Sequence, residues 1–317
     1  MRDRPQDFDE AMLRPALKAW GVDAATLEYA PVGFGDYHWV ADGRGGRWFV
    51  TVVDVRRRAY DEVRLALDTA AELREQAGLD FVVSPLRDDE GATLRRLDSR
   101  RYAMSVYPYV EGRSGEFGDE QDDAERAAVI DLLAALHATP PPLSAPLAPV
   151  QPSGRALLER LAAEEDGDLP WLGGPYSEPA RELVTSHAGT LRRALEEFDL
   201  LAEKPGEPVV THGEPHPGNL LRSRGRLLLV DWDTVGVAAA ERDLWLVAET
   251  AEDRARYAEA TGRTPDERLM TLYRLRWALD DVADFVRWFR SPHARTPDAA
   301  VAWQGLKDTL EELAGDA

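Results

Sequence analysis

The segment Thr211–Leu221, THGEPHPGNLL, crowds two histidines, a glutamate and an asparagine among two prolines and two glycines. Two chemistries could use such a set. His212, Glu214 and His216 could ligate a metal directly, or the segment could be a loop that presents Glu214 and Asn219 to a substrate. A histidine pair four apart binds zinc when a helix puts both rings on one face. Here Pro215 and Pro217 flank the second histidine and Gly213 follows the first, which opposes a helix through 212–216. The chain also has no cysteine to complete a zinc site, so the loop reading leads.

Working outward, Asn219 stands five positions after Glu214, and Asp231 twelve further on, at the end of RLLLV and before DWDTVG. Phosphoryl transfer needs a carboxylate to orient or deprotonate the attacking hydroxyl. It also needs an amide oxygen and a second carboxylate to hold Mg²⁺ against the phosphates. A loop, a short hairpin and a strand end can bring three such groups together, and Mg²⁺ keeps enough waters for two protein ligands to suffice.

The rest of the chain supplies an order of elements. Residues 8–20 read as a short helix and 26–32 as a strand. YHWVA and RWFVTVV, joined by DGRGG, read as a β-hairpin. A helix over 57–77 carries Val63, Leu67, Ala70 and Leu73 at helical spacing, and strands are expected near 80–84, 92–97 and 101–107. From Asp119 the pattern turns helical: an amphipathic helix to about 139, a proline-rich connector, then helices at 154–165 and 177–201. After the loop come strands at 220–222 and 226–231, and helices at 241–250, 252–261, 266–290 and 297–314.

Composition excludes several classes. With 317 residues and 44% hydrophobic, the chain can bury sizeable cores. A net charge of −20 argues against nucleic-acid binding, and suits attraction of a cationic ligand. No apolar leader or run of eighteen apolar residues occurs, so neither secretion nor a membrane span is expected, and a cytoplasmic location is. Lysine occurs only at 18, 204 and 307.

VVTHGEPHPGNLL followed by LLLVDWDTVGVAAAERDLWLV, with LLAALHAT before it and VYPYVEG at 106–112, resembles the core of the aminoglycoside phosphotransferase family. DWD followed by ERDL resembles its spectinomycin phosphotransferase branch most. The resemblance implies an α+β, protein-kinase-like two-lobed fold, with a small β-rich N-lobe over 1–106, a hinge at 107–118 and a larger, mainly helical C-lobe over 119–317. It places Glu214 at the catalytic-base position and makes Asn219 and Asp231 metal ligands, with Asp243 bracing the loop from the next helix. His212 is expected to pack within the loop, and Asp233 to reach metal or substrate or face solvent. Gly33 and Gly35 sit where a glycine-rich loop covers phosphates, and main-chain groups around Tyr107, Tyr109 and Val110 where a purine would be read. The implied reaction moves the γ-phosphate of ATP or GTP, with Mg²⁺, onto a hydroxyl of a small molecule, an activity that in this family includes antibiotic resistance.

The chain departs from the family pattern twice. The base position holds Glu214 rather than aspartate, one methylene further from the backbone. The third strand, RWFVTVVD, holds Thr51 where kinase-like folds carry a phosphate-pairing lysine; Arg47 or the Arg56–Arg58 run is the candidate substitute, and Glu62 loses its expected partner. These departures motivate the alternative reading, a catalytically silent nucleotide- or ligand-binding protein of the same fold. On the substrate side, Trp277, Asp281, Phe285 and Trp288 fall on one face of helix 266–290, with Asp280 and Asp284 beside them. Carboxylates beside rings suit an amine-bearing substrate; the same pattern also suits core aromatics with a solvated acidic edge.

Overall fold

The structure, a computed structural model, describes residues 1–5, 7–97, 101–163, 170–171, 173–204 and 206–315. It divides into two units, each made of two stretches of chain: Met1–Ala148 with Glu207–Pro265, and Pro149–Gly206 with Asp266–Ala317.

The first unit begins with a short helix, α1 (Leu13–Leu17), continued at both ends by single 3₁₀ turns. Five antiparallel strands follow: β1 (Ala24–Ala30), β2 (Tyr37–Gly43), β3 (Gly46–Asp54), β4 (Arg95–Arg96) and β5 (Tyr102–Pro108), in the order β1-β2-β3-β5-β4. The β2–β3 hairpin forms where alternation meets glycine. Tyr37, Trp39 and Ala41 bury one face of β2, and Gly45, at φ +115°, makes the turn that pairs Gly43 with Gly46. Between β3 and β4 runs α2 (Tyr60–Glu75), whose Val63 and Leu67 pack with Val53, Leu94 and Ala103 of the sheet side. Burying each such side chain contributes about 1.5–3 kcal/mol.

Two expected strands differ. The 92–97 strand contracts to two residues. The 80–84 stretch does not join the five-stranded sheet: Val83 donates to Leu229 O at 3.0 Å and Leu229 to Phe81 O at 2.8 Å, so it runs parallel to a strand near residue 229. Its FVVSP pattern is strand-like, but its partner lies far along the chain.

Helix α3 (Asp123–His137) is capped by Asp122, whose carboxylate accepts from Glu125 N at 2.8 Å. In the second unit come α4 (Arg155–Ala162), α5 (Ser177–Ser186) and α6 (Ala188–Ala202); residues 164–165 of the expected 154–165 helix fall outside the described residues. The single helix expected over 177–201 breaks at His187. There the Ser186 hydroxyl (2.7 Å) and the His187 ring (2.9 Å) both engage the Leu183 carbonyl, and the His187 N–H closes a tighter turn on Val184 O at 3.0 Å.

Back in the first unit, β6 (Pro208–Thr211) leads into the loop. β7 (Leu220–Ser223) and β8 (Arg226–Leu229) form a hairpin, and β9 (Gly236–Ala239) returns to pair with β6. The sequence reading missed the β6–β9 ladder, which is built from short stretches of small residues. Helix α7 (Glu241–Leu244) is shorter than expected. α8 (Ala251–Thr261) starts at a Thr250–Asp253 capping box and stops at Gly262, φ +72°. The second unit closes with α9 (Glu267–Arg290) and α10 (Pro297–Gly315). No helix among the described residues is long and apolar enough to cross a membrane.

Candidate active site

The loop after β6 is held by groups that leave its shape little freedom. Gly213 sits at φ +103°, and a Cβ there would run into the Arg242 guanidinium. That guanidinium donates to Thr211 Oγ1 at 2.7 Å and to Thr234 O at 2.8 Å. Asp243, wholly buried on α7, accepts from the main-chain N–H of His212 (2.8 Å) and of Gly213 (2.6 Å), while its Oδ2 lies 3.0 Å from His137 Nε2. His137 in turn meets the Tyr257 hydroxyl at 2.9 Å. Burial alone would raise the Asp243 pKa. The His137 hydrogen bond and charge, with that of Arg242, outweigh burial and hold the carboxyl below its usual range.

His212 ties the loop to the strand end. Burial pushes its pKa down to about 4 against the pull of Asp243, so the ring is neutral near pH 7. Nε2 donates to Val230 O at 2.9 Å and Nδ1 accepts from Glu214 N at 3.2 Å, one donor and one acceptor, as a neutral imidazole requires. Trp232 is fully buried with its ring edge-on to His212 and its indole N–H on Leu229 O at 2.8 Å. His212 thus links the main chain of Glu214 to the residue before Asp231.

Asn219 sits in a 3₁₀ turn, Pro217–Asn219, that His216 caps. Its Nδ2 donates to Glu214 O at 2.9 Å, and its main-chain O accepts from Val230 N at 3.0 Å. That leaves Oδ1 as the amide atom for a ligand. His216 is pushed down to about 4 by burial. Its neutral ring has one lone pair, which can take the Gly218 N–H (3.1 Å) or Asn219 Nδ2 (3.3 Å) but not both.

Asp231 adopts φ +62°, a left-handed backbone that few non-glycine residues take. Burial and then the charges of Asp233, Glu214 and Asp36 push its carboxyl well up. Since Asp231 is still exposed to solvent, crowding by like charge is the cause that counts. Asp36 is pushed up to about 7 by burial and by Asp233. Asp233 forms an ion pair with Arg58, whose Nη2 also donates to Asp233 O at 2.6 Å. Among the described residues no three of His, Asp and Glu converge to hold a metal by themselves. The donor set at Asn219 Oδ1 and Asp231, hard oxygens amid excess negative charge, instead fits a cation that takes two protein ligands.

Gly33 and Gly35 have φ of +68° and +111° and flank the exposed Phe34, with exposed Val32 just before them. Thr51 faces His38, whose Nδ1 lies 3.1 Å from the Thr51 hydroxyl, and pairs in register with Ser105. Glu62 is exposed. Tyr107 is near the same carboxylates, and burial pushes its hydroxyl well up. Tyr109 N donates to Arg47 O at 3.2 Å, with the Arg47 guanidinium 4.0 Å over the Tyr109 ring. Val110, next in the chain, has no hydrogen-bond partner among the described residues.

Trp277, Asp281 and Asp284 lie on α9 in the second unit. Trp277, Asp281, Phe285 and Trp288 are half-buried beside the fully packed face. Phe285 lies against Gly305 of α10, Asp284 pairs with Arg287, and Asp280 accepts from Ser153 N at 2.6 Å. The sequence reading gave no role to His137, Tyr257 or Arg242. For His137 the available signal was a histidine within the apolar stripe of LLAALHAT.

The five-stranded antiparallel sheet followed by a mainly helical region is a kinase-like fold. Three structures share it at low identity. A spectinomycin phosphotransferase in complex with ADP and its antibiotic has a TM-score of 0.71 at 16% identity, covering 97% of this chain and 98% of its own. The choline kinase LicA from Streptococcus pneumoniae has a TM-score of 0.58 at 15% identity, covering 96% and 99%. Amicoumacin kinase in complex with AMP-PNP has a TM-score of 0.59 at 14% identity, covering 96% and 94%. The chain matches the Phosphotransferase enzyme family (APH) over residues 32–273, more than half its length, and belongs to that family. It is also 28% identical over 304 residues to Protein StrN of Streptomyces griseus, covering 91% of this chain and 88% of that one.

Proposed function

We propose that the protein is a Mg²⁺-dependent phosphotransferase that moves the γ-phosphate of ATP or GTP onto a hydroxyl of a small, amine-bearing molecule. The observation that carries this reading is the lacing of Glu214, Asn219 and Asp231 through Asn219 Nδ2 to Glu214 O and His212 to Val230 O. In the transfer, the substrate oxygen forms a bond to the γ-phosphorus as the bond to the β–γ bridging oxygen breaks. The hydroxyl proton passes to the Glu214 carboxylate, and the nucleoside diphosphate leaves. Mg²⁺ when bound supplies charge neutralisation for the triphosphate, and Asn219 Oδ1 and Asp231 are the residues that would hold it. The main-chain groups of Val110 suit a purine edge, and the Gly33–Gly35 turn suits the phosphates. Spectinomycin and choline, which name two of the similar structures, are alcohols that carry cationic nitrogen, and a net charge of −20 favours such substrates.

A second reading, a silent kinase-fold protein, draws on the His38–Thr51 contact at the place of the strand lysine. Calorimetric titration with Mg-ATP and Mg-GTP, with Asp231→Ala as control, decides between them. Binding that needs both Mg²⁺ and Asp231, followed by phosphate transfer to an aminocyclitol or amino alcohol, supports the transferase. Binding with no transfer to any acceptor across a panel favours the silent protein, and no binding at millimolar nucleotide refutes the transferase.

A further inference from the structure

A triphosphate carries several negative charges, and the site it would enter already holds Asp231, Asp233 two residues on, and Glu214, whose main chain His212 ties to the residue before Asp231. A divalent cation cancels only part of that charge, so a fixed cation is needed, and the third strand offers Thr51. Glu62, the expected helix partner of the usual lysine, is exposed. Thr51 on β3 carries no charge, so it forms no ion pair with Glu62 on α2.

An ion pair does stand nearby. Arg58 lies in the connection from β3 to α2, and its guanidinium pairs with the Asp233 carboxylate while Nη2 donates to Asp233 O at 2.6 Å. Its placement is built. Asp54, almost fully buried, takes Arg56 through Nε at 3.3 Å and Nη2 at 3.1 Å, and Arg101 through Nε at 2.9 Å. Arg57 N closes the turn on Asp54 O at 2.9 Å. Arg56 is thus spent on Asp54, Arg57 lies near Asp36, and Arg58 reaches Asp233 with two nitrogens. A guanidinium grips a phosphate with the same fork it offers a carboxylate.

We propose that Arg58 takes the charge of the nucleotide's phosphates in this protein, in place of the strand lysine, with Asp233 as its partner when no nucleotide is bound. This rests on the phosphotransferase reading and singles out one residue among the substitutes, Arg47 and the Arg56–Arg58 run, that the sequence leaves open.

The test is calorimetric titration of the full chain with Mg-ATP and with adenosine, for wild type, Arg58→Ala, Arg58→Lys and Arg181→Ala, a surface arginine of the second unit paired with Glu178, with melting curves to check folding. Loss of a charge-assisted contact is worth roughly tenfold or more in affinity. Arg58→Ala is therefore expected to weaken Mg-ATP at least about tenfold while adenosine binding stays within about twofold. Arg58→Lys should fall between, and Arg181→Ala should match wild type. Adding Thr51→Lys to Arg58→Ala should recover part of the Mg-ATP affinity. Arg58→Ala binding Mg-ATP like wild type, or losing adenosine in step with Mg-ATP, overturns the proposal; should that variant not fold, Arg58→Lys matching wild type or losing adenosine in step does the same. Wild type that binds no nucleotide overturns the phosphotransferase reading and this proposal with it, whereas wild-type binding with an indifferent Arg58→Ala overturns this proposal alone.

Discussion

Replacing Asp243 with asparagine keeps the shape of the side chain and changes what it can accept. The carboxylate takes three donors: His212 N–H and His137 Nε2–H on Oδ2, and Gly213 N–H on Oδ1. An amide has one oxygen. If that oxygen takes the Oδ2 place, the NH₂ group faces the Gly213 N–H; if it takes the Oδ1 place, the NH₂ faces the His212 N–H. The imidazole could change tautomer to accommodate an NH₂ neighbour, but a main-chain N–H cannot. At least one buried charge-assisted bond is lost and its donor left unpaired, which costs about 2–4 kcal/mol. In a unit of about 200 residues that corresponds to a fall in melting temperature of roughly 5–15 °C. Calorimetry or circular dichroism on Asp243→Asn reads it directly. Turnover should fall further than stability, because the freed loop no longer fixes Glu214, and a displacement near 1 Å can cost about 10²-fold. A variant that melts within a degree of wild type would refute the bracing argument, since no arrangement of an amide satisfies all three donors.

Other outcomes follow from the same geometry. Gly213→Ala should lose about 2–4 kcal/mol, from the positive φ and the collision with Arg242, measured by urea unfolding. Asp231→Asn should abolish phosphate transfer yet melt at or above the wild-type temperature, because it relieves the repulsion from Asp233, Glu214 and Asp36; a lower melting temperature would count against that repulsion. His212 has a folded pKa of about 4 against 6.5, so the unfolded chain takes up the proton first. Its contribution to stability is full above pH 6.5 and is lost as pH falls from 6.5 to 4, by up to about 3 kcal/mol. His212→Gln should flatten the stability–pH curve over that window, and an unchanged slope would contradict the assignment.

The β2–β3 hairpin was legible because alternation and a glycine turn are local signals, and α2 and α9 because a long apolar period is. FVVSP at 81–85 looked like a fourth long strand, yet its partner is β8, and no local pattern names a partner that far away. The 177–201 helix looked continuous because helix propensity does not register two side chains competing for one carbonyl at Leu183. Around the site, the spacing of Glu214, Asn219 and Asp231 pointed to a loop, a short hairpin and a strand end that could converge. The groups that hold it were not announced. His137 meets Asp243 across 106 residues, Arg242 meets Thr211 across 31, and Arg58 meets Asp233 across 175. Each arginine alone reads as surface charge, and only the fold distinguishes Arg58 from Arg56.

The first unit is interrupted in sequence by residues 149–206, and the second by 207–265. A ribosome therefore finishes neither unit until it is well into the last third of the chain. The extended stretch at 81–83 emerges unpaired and stays so until β8 is made, and α4 to α6 wait for α9 and α10. Strand edges and apolar helix faces held open during synthesis are where chains associate wrongly. A nascent protein of this design leans on chaperones that bind such faces. For the same reason a division near residue 206 yields two pieces of which neither contains a complete unit, so complementation by fragments will work only if both are made together.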